Sequence, residues 1–183
     1  MPSWGDGASS RLLVVGLAPG LRGANRTGRP FTGDYAGDLL YSTLIRHGFA
    51  SGIFAARTDD SLRLHKTRIT NAVRCVPPQN KPLPAEITTC RPFLQASIAG
   101  MAELAAIVAL GRVAHESVLR AFGLRLADFP FGHGREHALG EKGVRIFDSY
   151  HCSRYNTNTR LLTPEMFDAV FARVHIFLSA NSH

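Results

Sequence analysis

A doubly wound α/β/α sandwich around a central, mainly parallel four-stranded sheet is the fold class this sequence predicts. Two observations carry that expectation. Short uninterrupted apolar runs, LLVVG at residues 12–16 and LAAIVAL at 104–110, end in or beside glycine, as strands buried on both faces do. Segments with helical periodicity separate the runs, and strands that alternate with helices build a parallel sheet covered on both sides.

Each element follows in order. Residues 17–34, LAPGLRGANRTGRPFTGD, contain Gly20, Gly23, Gly28 and Gly33 and show no apolar periodicity. A loop this long inside a compact domain is usually functional. Residues 35–47 put Leu39, Leu40, Thr43 and Leu44 on one helical face and stop at Gly48. Residues 67–73 (TRITNAV) read as the second strand, followed by a Pro-rich turn. A helix starts near Pro84, where proline suits the first turn and Glu86 complements the dipole, and runs to Gly100. After the strand at 104–110, Gly111 leads into a helix over 112–122. Residues 122–142 read as loop, 144–148 as the fourth strand, and 149–162 as polar loop. The closing amphipathic helix, 164–178, turns Phe167, Val170, Phe171 and Val174 inward. The 183 residues are expected to form one domain, 1–183.

Composition narrows the classes. With 45% hydrophobic and 19% charged residues the chain has the make-up of a soluble globular protein. No apolar run approaches the roughly 20 residues needed to cross a bilayer, and the start, MPSWGDGASSR, lacks the order of a secretory signal. A cytoplasmic protein without a membrane role is the expectation. The net charge of +7 favours a polyanionic partner. Cys75, Cys90 and Cys152, an odd number, make no disulfide framework and read as free thiols or ligands.

Ligands of a parallel sheet sit beyond the carboxyl ends of its strands. Three loops follow strands here, 17–34, 74–84 and 149–158, and they are expected to converge on one crevice. Glycines in the first let backbone amides approach a ligand closely. It is no P-loop, since no Gly-Lys-Ser/Thr follows. Nor is it a dinucleotide fingerprint, because Pro19 and the long insertion interrupt the turn into the helix.

Four segments, taken in order, carry a resemblance. GLAPGLRGANRTGRPFTGD (16–34), ITNAVRCVPPQNKP (69–82), IVALGRVAH (107–115) and SYHCSRYNTNTRLLTPEMFDAVF (149–171) resemble the motifs of the uracil-DNA glycosylase superfamily, most closely its type B branch, family 5. The resemblance implies a base-excision-repair enzyme that flips uracil out of DNA and hydrolyses its N-glycosidic bond, leaving an abasic site. Hypoxanthine and xanthine are further candidate bases. Damaged DNA is the implied partner and a monomer the implied state.

The resemblance also implies roles. Gly16, Leu17 and Ala18 line the substrate site, Phe31 stacks on the flipped pyrimidine, and Asn71 satisfies N3–H and O4 of uracil while mismatching cytosine. His151 donates to O2 as the bond breaks, for which a neutral imidazole suffices. Many relatives place a polar residue where Leu17 and Ala18 stand, so Asp34 is assigned to positioning water; the other reading is that it caps the following helix. Arg154, Tyr155 and Asn156 fall where the family inserts a side chain into the duplex. Tyr155, where type B enzymes often carry Gln, and Cys152, where Pro or a small apolar residue is common, depart from the pattern. Arg22, Arg26, Arg29, Lys81 and Arg154 are candidate phosphate contacts. Cys75 and Cys90 match the late pair of a four-cysteine 4Fe–4S site. The early pair is missing, which leaves three options open: a truncated start, loss of the cluster, or two plain thiols. A catalytically silent DNA- or lesion-binding module is the alternative function, favoured by Leu17, Ala18 and the missing cysteines. A nucleotide hydrolase is the third, disfavoured by the long polar loop at 149–162.

Overall fold

The computed structural model describes residues 1–21, 23–140 and 143–181. Strand β1 (Leu12–Gly16) is followed by a short helix α1 (Ala24–Thr27), helix α2 (Tyr35–Arg46) and the two-residue strands β2 (Ala50–Ser51) and β3 (Arg63–Leu64). Next come β4 (Thr67–Asn71), α3 (Pro84–Ala99), β5 (Ala106–Leu110), α4 (Arg112–Ala121), β6 (Glu136–Leu139), β7 (Val144–Ser149), α5 (Arg154–Asn158) and α6 (Pro164–Ala180). The main sheet has the order β4-β1-β5-β7-β6, parallel throughout except for β6, which runs antiparallel to β7.

All five residues of β1 are buried, and its pleat sends alternate side chains to opposite faces. Leu12 and Val14 join Leu40, Tyr41 and Leu44 of α2 and Phe167, Phe171 and Val174 of α6. Leu13 and Val15 join Leu94 of α3 and Ala114, Val118 and Leu119 of α4. Each buried Leu, Val or Phe among them contributes about 1.5–3 kcal/mol by leaving water. The helices start on local signals. Thr163 Oγ1 accepts from the Met166 amide at 3.2 Å ahead of Pro164, and the Glu86 carboxylate accepts from the Leu83 amide at 2.7 Å. Trp4 bridges to Ile69, exchanging two backbone bonds of 2.9 and 2.8 Å, and so covers part of the exposed β4 edge. No helix among the described residues is long and apolar enough to cross a membrane.

Two expectations need correcting. The sheet has five strands, because β6 (EHAL) lies in the stretch read as loop. A short edge strand needs only one apolar face, so it produces no continuous apolar run. The polar loop at 149–162 contains a five-residue helix, α5, whose N-cap Ser153 accepts from the Asn156 amide. The structure also adds α1 inside the 17–34 loop and the β2–β3 hairpin, neither of which the sequence pattern announces.

Strand register sets up the site. Gly16 pairs with Asn71, and Leu110 with Ser149, so the parallel strands end at one level. The loops that leave β4, β1, β5 and β7 therefore all emerge at the same end of the sheet.

Candidate active site

The loops that leave β1 and β7 line a crevice of about 590 Å³ with Leu17, Ala18, Pro19, Gly20, Asp34, Tyr35, Ala36, His151, Ser153 and Arg154, whereas the third loop, 74–84, which was expected to join them, contributes no lining residue. A smaller cavity of about 30 Å³ shares Ala18, Asp34, Ala36 and His151 with it and adds Ala24, Phe31 and Asn71. That volume holds about one water. A planar base can enter only if the walls part.

Asn71 ends β4 and is buried, yet its Oδ1 has no hydrogen-bond partner among the described residues. A buried acceptor left unsatisfied costs about 1–3 kcal/mol, which a ligand donor would restore. Gly16 makes room for it. A Cβ at Gly16 would lie 2.4 Å from Asn71 Oδ1 and 2.5 Å from Phe31 Cζ, so any side chain there would fill the cavity. Phe31 is 6% exposed and has a φ of 54°. For a bulky L-residue this left-handed conformation costs about 1–2 kcal/mol, so its surroundings must impose it.

His151 lies just beyond β7, its ring 6.1 Å from that of Phe31 and inclined by 29°. Burial pushes its pKa down to about 4, so the imidazole is neutral at physiological pH. The Asn156 Nδ2 donates to the His151 carbonyl at 2.8 Å and ties the loop down. Asn156 therefore turns inward, while Tyr155 is 74% exposed and Arg154 stacks its guanidinium 5.3 Å from the Tyr35 ring at the mouth of the crevice.

Asp34 occupies the N-cap position of α2 but makes no side-chain capping bond, and its Oδ1 is buried without a partner. Burial raises its pKa, against the opposing pull of the Gly37 and Ala36 amides. Its carboxylate thus lines the crevice while staying under the influence of the first amides of α2. Leu17 and Ala18 line the same crevice, and the Leu17 carbonyl accepts from the Val73 amide at 3.0 Å.

Among the candidate phosphate contacts, Arg29 is a correction. It is 5% exposed and paired with Asp60 at 2.7 Å, so it cannot meet a DNA backbone. Arg26 and Lys81 are exposed, as is Arg154. Arg22 lies outside the described residues. Tyr35, Ala36 and Ser153 line the crevice although the sequence did not single them out. The available signal was a bulky aromatic directly after Asp34 at a helix start.

Cys75 is exposed and Cys90 buried. Cys152 is buried with its Sγ 3.5 Å from the Ala36 carbonyl, and burial pushes its thiol up to about 12. A 4Fe–4S cluster takes four ligands. Among the described residues no group of three or more His, Cys, Asp or Glu could hold a metal ion. Cys75 and Cys90 are two of the four thiolates such a cluster needs, so the described residues alone do not complete a site.

The carboxyl end of the parallel sheet thus brings an aromatic ring, an amide with an unpartnered oxygen and a neutral imidazole to one small cavity. Residues 2–175 match the family model for the uracil DNA glycosylase superfamily, and the chain belongs to that family. It is 46% identical over 167 residues to a type-5 uracil-DNA glycosylase of Thermus thermophilus, covering 91% of this chain and 75% of that protein. The type-5 enzyme of Mycobacterium bovis is 46% identical over 173 residues, covering 93% and 64%. That of Pyrobaculum aerophilum is 38% identical over 173 residues, covering 94% and 74%. The chain thus spans roughly two-thirds to three-quarters of the length of these relatives.

Proposed function

We propose that this chain is a DNA glycosylase that removes uracil from DNA, acting as a single-domain cytoplasmic monomer in base excision repair. The observation that carries the reading is the meeting of Phe31, Asn71 and His151 at one cavity. Each supplies what one part of uracil needs. A base inside the duplex is out of reach, so it must be flipped out. It then stacks on Phe31, its N3–H donates to Asn71 Oδ1, and Asn71 Nδ2 donates to O4. The bond from N1 to C1′ breaks, uracil departs as an anion held at O2 by the neutral His151, and water adds to C1′ while Asp34 takes its proton. An abasic site remains. Tyr155 and Arg154, outermost on α5, enter the gap left by the base, with Asn156 bracing their loop, and Arg26 and Lys81 neutralise phosphates. Hypoxanthine and xanthine, which also place an N–H beside a carbonyl, are further candidate bases. Cys75 and Cys90 are the ligands this chain would lend to an iron–sulfur cluster of structural role.

The test is single-turnover release of free base from oligonucleotides carrying each deaminated base. Retention of uracil-containing DNA with no free base would replace the glycosylase with a lesion-binding module, the reading that the apolar Leu17 and Ala18 favour.

Two results should accompany it. Asn71→Asp is expected to lower the preference for uracil over cytosine about tenfold or more, because a carboxylate cannot donate to O4; unchanged discrimination would remove Asn71 from the pocket. Asp34 must be ionised to accept the proton, and its raised pKa means that it holds its own proton to a higher pH than an ordinary aspartate. The rate should therefore fall on the acid side above the usual carboxylate range, a limb that Asp34→Asn removes. With His151 neutral down to about pH 4, it adds no limb of its own near neutrality. A limb that survives in Asp34→Asn would assign it to another group.

A further inference from the structure

The groups that deliver Phe31 to the crevice lie behind it. Arg29 Nε donates to Thr32 Oγ1 at 2.8 Å, and its two terminal nitrogens donate to the two carboxylate oxygens of Asp60 at 2.8 and 2.7 Å. Asp60 also accepts the amides of Ala55 and Leu62 at 3.0 and 3.2 Å. Its pKa is held far below the ordinary range, first by the bonds from Arg29. Around the guanidinium stand Trp4, Phe54 and Tyr41, with ring centroids 5.0, 5.6 and 5.8 Å from its central carbon. The Tyr41 hydroxyl donates to the Pro30 carbonyl. On the far side, a Cβ at Gly37 would come within 1.9 Å of the Phe31 carbonyl oxygen, so only glycine lets α2 start against it. Residues 29, 30 and 32 are each held, and the residue between them is the one in a left-handed conformation.

We propose that the buried Arg29–Asp60 pair is a positioning device for base recognition, fixing residues 29–32 so that the Phe31 ring faces the flipped base. This role rests on the reading of Phe31 as the stacking surface. A buried ion pair is a poor device for stability alone, since apolar residues of similar volume hold a core as well or better. What a bidentate fork supplies is a fixed angle and distance. The backbone strain at Phe31 is what needs such fixing.

The experiment compares binding to two duplexes that differ only at the lesion. One carries 2′-fluoro-deoxyuridine, whose fluorine disfavours the sugar cation and keeps the base attached. The other carries a tetrahydrofuran abasic site, which offers no base to stack. Fluorescence anisotropy at a temperature well below unfolding should give Phe31→Ala a loss of about tenfold on the first duplex and little on the second. Asp60→Asn should behave alike, as should the milder Tyr41→Phe, which removes only the bond to Pro30. Combining either with Phe31→Ala should add no further loss, since all act through one ring. Equal losses on both duplexes, or losses that add, would reduce the pair to a fold element and overturn the role. If Phe31→Ala discriminates and the other two do not, the positioning role alone falls. If Phe31→Ala has no effect on either duplex, the stacking reading falls and the positioning role with it.

Discussion

Replacing His151 with alanine is expected to slow single-turnover release of uracil by about 10²-fold or more, with DNA affinity changed only a few-fold. The imidazole sits at the cavity it shares with Phe31 and Asn71, and no hydrogen bond from the described residues occupies its ring. A donor in that state is free to meet charge that develops on the leaving base. Because burial keeps it neutral, it needs no proton from solvent and pays nothing in charge desolvation before the reaction. On the proposed reading, the bond it would make is strongest in the transition state, which is where a bond must strengthen to raise the rate. His151→Gln keeps a donor on a longer, looser side chain and should recover part of the loss. Equal falls in affinity and rate for His151→Ala would mean that the ring binds substrate uniformly and does not act on the leaving group.

The elements legible in the sequence are those whose chemistry is local. Strands β1 and β5 are continuous apolar runs because both faces are buried, and the pairing of helix with strand followed from them. Phe31, Asn71 and His151 were singled out through the ordered motifs, and the structure brings them to one cavity. What escaped is long-range. Arg29 reads as a surface cation because its partner, Asp60, lies in a stretch without periodicity, and nothing local marks a pair that closes 31 residues apart. Strand β6 exists through its ladder with β7 and carries no apolar run of its own. Asp34 sits where a cap belongs, and only the position of its carboxylate separates a cap from a crevice acid.

Asp148→Ala is expected to lower stability by about 3–5 kcal/mol. For a chain of this size that is a fall of roughly 10 °C in Tm. Asp148 is wholly buried on β7, its Oδ1 2.7 Å from His115 Nδ1, while His115 Nε2 lies 2.8 Å from the Phe129 carbonyl. Its Oδ2 also accepts the Gly132 amide at 3.3 Å, so one carboxylate joins α4 to the loop before β6. Desolvation alone would lower the His115 pKa; the bond and charge of Asp148, with the Phe129 carbonyl, outweigh it and raise the pKa. The sign follows from linkage. A histidine whose folded pKa is raised contributes stability in full below its unfolded value and loses it as pH rises through the folded value. The Tm gap between the native chain and Asp148→Asn should therefore be widest near about pH 6 and narrow toward about pH 9. Circular dichroism melts at both pH values check this, and an equal gap would mean that His115 stays neutral. Base release measured well below Tm should change only a few-fold, because Asp148 lies outside the crevice; a loss on the scale of His151→Ala would make it part of the catalytic machinery.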